Sequence, residues 1–187
     1  EAIYIHEGQQ YQVEKLDFYD KKAYVRKVDV DYYTDANLAV DLKVIDVFKE
    51  GGGKKVLKNC GEVMVTALVT MFKKIKLYTH ENIGFGPVNL PEIEMHTTSY
   101  WVSLPEELQQ DMTQSDMQNG LLGLSNVLAN SAPIYLMCDP RDIRVVHQVK
   151  SPFTQKPTIY IYDNYPGGVG FSEKLFELHS ELFVTAK

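Results

Sequence analysis

Apolar and polar residues alternate with a period of two through most of the first 78 positions. Val63, Val65, Ala67, Val69, Met71, Ile75 and Leu77 take the odd places of one long run, the mark of a strand with one face on a core. Shorter runs of the same kind precede it at Ile3 to Ile5, Tyr11 to Leu16, Ala23 to Tyr33 and Leu38 to Val44. His6-Glu7-Gly8, Asp17 to Lys22, Thr34 to Asn37 and Glu50 to Lys55 read as the turns between them. Five strands at this spacing predict a small antiparallel β-barrel, OB-like or SH3-like, over residues 1–80.

The period then stops. Gly84, Gly86, Pro87, Pro91 and Pro105 punctuate residues 81–104, which read as an extended connecting segment. Residues 105–187 read as a mixed α/β unit with two amphipathic helices. Pro105-Glu106-Glu107 makes a helix start, and Met117, Leu121, Leu124 and Leu128 form a stripe that ends before Pro133. Ile134 to Met137 and the run through Val145 and Val146 read as short strands. Thr158 to Asp163 reads as another, followed by a glycine-rich turn and a helix with the stripe Phe171, Leu175, Leu178 and Leu182. The expected class is α+β.

Composition adds bounds. The chain has 187 residues, 44% of them hydrophobic and 24% charged, as in an ordinary globular protein. No apolar run has the length of a membrane span, so no membrane partner is expected. Cys60 and Cys138 are too few for a four-cysteine metal site and suit buried free thiols in a reducing, cytoplasmic setting. Glu1 leads directly into strand-like sequence, as expected of a piece of a longer polypeptide.

A net charge of −6 argues against nucleic-acid binding by overall attraction. The distribution is uneven, however: six lysines face the single acid Glu62 between Lys54 and His80. Phe72, Lys74, Lys76 and Tyr78 share the even face of the long run, so rings and ammonium groups alternate there, with Lys73 beside them. Arg144 belongs to a second, smaller basic cluster. This is the surface that a phosphate backbone with stackable bases would meet. The rival reading is a solvated face whose rings cover a neighbour.

Gly167, Gly168 and Gly170 form a candidate anion-binding turn before the last helix, or else a tight packing turn with Asp163 as its cap. Asp139, Asp142 and Asp163 lie near strand ends, where the carboxylates of a metal-dependent nuclease would gather. His80-Glu81 lacks the second histidine of HExxH, since Gly84 stands in its place, so no metal site is assigned. Neither GxSxG nor a Walker A loop is present, and no catalytic residue is assigned.

The runs HEGQQYQVEKLD, DVDYYT, FKKIKLYTHENIGFG, LPEIEMHTTSYW, MCDPRDI and IYDNYPGGVGFSEKLFE together resemble the C-terminal region of superfamily-two DNA helicases of the MrfA (YprA) type. The resemblance covers nearly the whole chain, and CDPRDI followed by YDNYPGGVG is its most distinctive part. It implies an accessory domain of an ATP-dependent, 3′→5′ DNA repair helicase, linked to repair of mitomycin-type lesions. The expected partners are single-stranded or forked DNA and the motor domains of the same polypeptide. ATP and Mg belong to those motor domains, whose motifs are absent here. The family's zinc is held by four cysteines after the helix that begins near Gly168, and this sequence holds no such cluster, so no cofactor is expected within it. Two alternatives stand beside DNA binding: a docking module that braces the motor without touching DNA, and the aspartate nuclease.

Overall fold

The computed structural model describes residues 2–53, 56–105, 107 and 112–185. It is an α+β chain of antiparallel sheets with, among the described residues, three helices. Its strands are β1 (Ile3–His6), β2 (Gln9–Asp17), β3 (Lys22–Val28), β4 (Tyr32–Gly53), β5 (Val56–Lys76), β6 (Asn82–Pro87), β7 (Ile93–Ser103), β8 (Ile143–Gln148) and β9 (Thr158–Asp163). The helices are α1 (Gln114–Leu136), α2 (Phe171–Glu177) and α3 (His179–Thr185). The chain forms two compact units, each built from two segments: Glu1–Ala39 with Ala67–Ile93, and Val40–Thr66 with Glu94–Lys187.

In the first unit β1, β2 and β3 form a three-stranded antiparallel sheet in that order. Glu7 and Gly8 both take positive φ, as a two-residue hairpin turn requires, which brings His6 opposite Gln9. The remaining parts of this unit are the start of β4, the end of β5, and β6, which pairs antiparallel with β5. Thr34 to Asn37, expected as a turn, lie inside β4. None of these residues has positive φ, and the Thr34 hydroxyl accepts the Ile3 N–H at 2.9 Å. Turn-forming side chains fit an extended backbone wherever they face solvent or a donor. The span 81–104, expected as a connection, carries β6 and all of β7.

The second unit is organised on the strand path β4-β5-β7-β9-β8. The alternation in β7 and β9 serves both faces. Tyr100, Val102, Ile159 and Ile161 point to the helices and pack with Leu121 and Leu128 of α1, Leu175 of α2 and Leu182 of α3. Trp101, Tyr160 and Tyr162 point the other way and meet Leu42 of β4 and Val63 and Val65 of β5. The run Ile159 to Tyr162 is therefore apolar throughout because it is buried on both sides. Gly61 is required by the pairing of the long hairpin, since a Cβ there would collide with the Asp46 carbonyl oxygen. At the outer strands of the path, the Gln148 side chain of β8 donates to the Leu42 carbonyl of β4 at 3.2 Å. That link is a side-chain bond; among the described residues the pairings do not show a closed barrel.

Two helix boundaries differ from the pattern reading. Of the start expected at Pro105 to Glu107, Glu106 lies outside the described residues and Pro105 is not helical; α1 begins at Gln114, where Thr113 and Asp116 form a capping box. It runs on through the buried Pro133 to Leu136 and ends on Met137 in the left-handed conformation. Ile134 to Met137 is thus no buried strand: Ile134 is 73% exposed and Met137 92%. The last stripe is split between α2 and α3 at Leu178, though Leu175 and Leu182 still face one core. Among the described residues no helix is long and apolar enough to cross a membrane.

Candidate nucleic-acid interface

The end of β5 and the turn after it carry most of the residues singled out in the sequence. Phe72 and Lys74 share one face, and the Lys74 Nζ lies 5.6 Å from the centre of the Tyr32 ring and 5.9 Å from that of Phe72. An ammonium so placed is held by the ring faces while keeping its charge available. Phe72 is half-buried. It stands opposite Gly86 of β6 in the ladder, and a Cβ at position 86 would come within 2.7 Å of its ring. Part of its surface is therefore spent inside the unit. Tyr78 lies in the turn Leu77 to Thr79 and is 90% exposed, so its ring is open on both faces.

The lysines do not form one uniform patch. Lys73 has the opposite strand parity from Lys74 and Lys76, and it is exposed. Lys76 lies 3.8 Å from Glu81, and the Leu77 N–H donates to the Asp31 carbonyl, which brings a second acid close to the turn. Arg144 is an exposed residue of β8, opposite Tyr162 of β9, and belongs to the other compact unit. The structure thus gathers Phe72 and Lys74 with Tyr32, pairs Lys76 with Glu81, sets Tyr78 in the turn after the same strand, and leaves Lys73 on the other side of it. The pattern reading missed Tyr32. Its period-two spacing after Val28 and Val30 marked a strand, but nothing in the sequence showed that it would lie under Lys74.

The glycine-rich turn is already filled. Gly167, Gly168 and Gly170 all have positive φ and turn a set of N–H groups inward. The Asp163 carboxylate accepts from Val169, Gly170 and Phe171 through Oδ2, and from the Ser172 N–H and hydroxyl through Oδ1, at 2.6–3.2 Å. Asp163 is fully buried. The anion that this cradle receives is the chain's own side chain, so the packing-turn reading of the glycines holds and an external anion has no free donors there. The Thr98 side chain also lies where a Cβ on Gly168 would go.

The nuclease trio does not assemble. The Asp139 carboxylate accepts from the Arg141 guanidinium and backbone, which holds its pKa down at about 2. Asp142 accepts from the Tyr165 hydroxyl and the Asp139 N–H, and Asp163 is enclosed in the turn. Hydrogen bonding to Asp142 also raises the Tyr165 phenol above its ordinary value. Among the described residues no group of three or more His, Cys, Asp or Glu could hold a metal ion.

The α+β chain, with its ring-and-lysine strand end and, among the described residues, no group that could hold a metal ion, has helicases among its relatives. Residues 124–187 match the family described as the MrfA Zn-binding domain. Over all 187 residues the chain is 52% identical to the uncharacterized ATP-dependent helicase YprA of Bacillus subtilis strain 168, of which it covers 25%. Against the ATP-dependent helicase HRQ1 of Saccharomyces cerevisiae the identity is 23% over 192 residues, 94% of this chain and 18% of that protein. A crystal structure of the DUF1998 helicase MrfA bound to DNA superposes with a TM-score of 0.74 at 51% identity, covering 99% of this chain and 25% of that one. A second, with DNA and AMPPNP, gives 0.61 at 50%, covering all of this chain and 22% of the other. By sequence and by structure the chain is similar to the C-terminal region of the MrfA/YprA-type helicases. It spans a quarter or less of each relative.

The family description implies zinc, and the residues present do not fit it. Cys60 is fully buried, its thiol pushed up to about 12 by burial first and the Glu173 charge second, and it lies outside the matched stretch. Within the matched stretch the sulfur and imidazole donors are Cys138, His147 and His179. They stand after α1, on β8 and at the start of α3, and do not converge on a metal.

Proposed function

We propose that this chain is the accessory DNA-handling part of an ATP-dependent 3′→5′ DNA repair helicase and that it binds single-stranded or forked DNA without sequence preference. The observation that carries the reading is the end of β5: Lys74 lies over Tyr32 and Phe72, Lys76 is beside it, and Tyr78 stands free in the following turn. In this reading Lys73, Lys74, Lys76 and Arg144 neutralise phosphates, while Tyr78 and the open part of Phe72 offer stacking faces, each stacked base contributing about 1–3 kcal/mol. That the structural relatives are helicases bound to DNA supports it. With Asp31 and Glu81 close by and a net charge of −6, binding by the isolated chain is weak and falls steeply with salt.

Fluorescence anisotropy with labelled single-stranded oligonucleotides at low and moderate salt tests this. The triple substitution Lys73→Glu/Lys74→Glu/Lys76→Glu is expected to abolish the signal at both, and binding unchanged by the triple would remove the face. A second reading, docking against the motor domains of the same polypeptide without DNA contact, is favoured by a different observation. The first unit holds an open groove of about 960 Å³ lined mainly by apolar side chains such as Tyr4, Leu16, Val25, Val69, Phe72 and Leu90, with Glu14 among the rest, a surface that suits protein better than phosphate. No oligonucleotide binding by the unaltered chain at any salt would leave that reading in place.

A further inference from the structure

A stretch that matches a zinc-binding family has, in this chain, a complete apolar core and a different tie. Leu121, Leu128, Ala132, Ile143, Ile159, Ile161, Leu175 and Leu182 are each no more than 3% exposed and join α1, β8, β9, α2 and α3 directly. A structural zinc adds to such a fold by drawing thiolates and imidazoles from separate segments onto one ion, and domains that depend on it unfold when the metal is removed. Here those donors do not come together: the His179 Nδ1 lies 2.5 Å from the Tyr100 hydroxyl, Cys138 follows α1 and His147 stands on β8, and among the described residues no group of three could hold a metal ion. The convergent centre is instead Asp163. Its carboxylate gathers four successive backbone N–H groups and the Ser172 hydroxyl from the turn into α2, while its own carbonyl lies 2.7 Å from the Thr97 hydroxyl of β7. One buried residue therefore fixes β9, β7 and the start of α2 to each other.

We infer that the 187-residue chain reaches its folded state without zinc, and that the Asp163 carboxylate is the tie that holds the α2 turn on the sheet. The inference rests on the donor set and the core, and stands whether or not the chain binds DNA. The test uses the whole chain, produced with zinc in the medium, with metal content measured by plasma mass spectrometry and thermal melting followed with and without EDTA. Zinc far below one equivalent and an unchanged melting temperature are expected. One equivalent of zinc, or a lower melting temperature in EDTA, would overturn the metal-independence. Asp163→Asn keeps the shape but turns an amide donor toward N–H donors, so a melting temperature lower by several degrees is expected, with Glu92→Gln, at the surface, as the unaffected control. Should Asp163→Asn melt with the unaltered chain, the tie is not Asp163. Should it fail to fold at all, the tie stands and the metal arms on the unaltered chain decide the rest.

Discussion

Cys60 has no water to favour its ionised form, and the Glu173 charge opposes it further, so the thiol stays protonated with a pKa raised to about 12. In the folded chain at mildly alkaline pH a thiol reagent such as DTNB is expected to modify the half-buried Cys138 first and Cys60 only as the chain opens in denaturant; rapid modification of both would place Cys60 elsewhere. His179 is the other residue whose burial has a readable consequence. Its imidazole is held below the ordinary 6.5 by desolvation and, secondly, by the Lys58 charge. The unfolded chain takes up a proton near that ordinary value and the folded chain resists it, so this contribution is present above it and lost as pH falls through it. Melting temperature should drop between about pH 7.5 and about pH 5.5, and the His179→Gln chain should show a flatter profile; equal slopes would remove His179 as the cause. Buried free thiols were expected from the sequence, and Cys60 is one; the partial exposure of Cys138 and the burial of His179 were not legible. Burial of a particular cysteine or histidine depends on which strands pair, and the pattern shows only that a strand exists.

At the level of elements the pattern was more informative. The hairpin turn at Glu7-Gly8, the long strand β5, the doubly buried β9 and the inward stripes Met117–Leu121–Leu128 and Leu175–Leu182 all follow from periodicity and apolar runs. Boundaries followed less well, because each depends on a local bond with no compositional mark. Thr34 to Asn37 reads as a turn until the Ile3 N–H occupies the Thr34 hydroxyl. Pro133 reads as a stop, yet its side chain is buried with Ala132 against the sheet, and that packing carries α1 one further turn. The true start of α1 is set by the reciprocal bonds of Thr113 and Asp116. Thr113→Ala is expected to destabilise the chain by about 1 kcal/mol in urea unfolding, with the folded secondary structure unchanged by circular dichroism. No change in the midpoint would mean the first turn of α1 frays in any case.

At the scale of the whole chain, the class was legible and the grouping of residues was not. Sequence order places the change of character near residue 80, where alternation ends. The compact units instead meet along the chain at 39/40, 66/67 and 93/94, inside two long strands and at the start of a third. A period-two run says nothing about where along its length a strand changes neighbours. The candidate interface shows the same boundary of inference: a single strand's face was readable, whereas Tyr32 beneath Lys74 and the placement of Arg144 in the other unit required the fold.

The interleaving has a practical corollary for anyone wishing to study the halves apart. Scission after Ile93 carries Leu42, Val63 and Val65 away from Trp101, Tyr160 and Tyr162, and scission after Ala39 strips β1 to β3 from the strand ends they belong with. Neither piece can be had by proteolysis at one bond. The pair is inherited, synthesised and lost together.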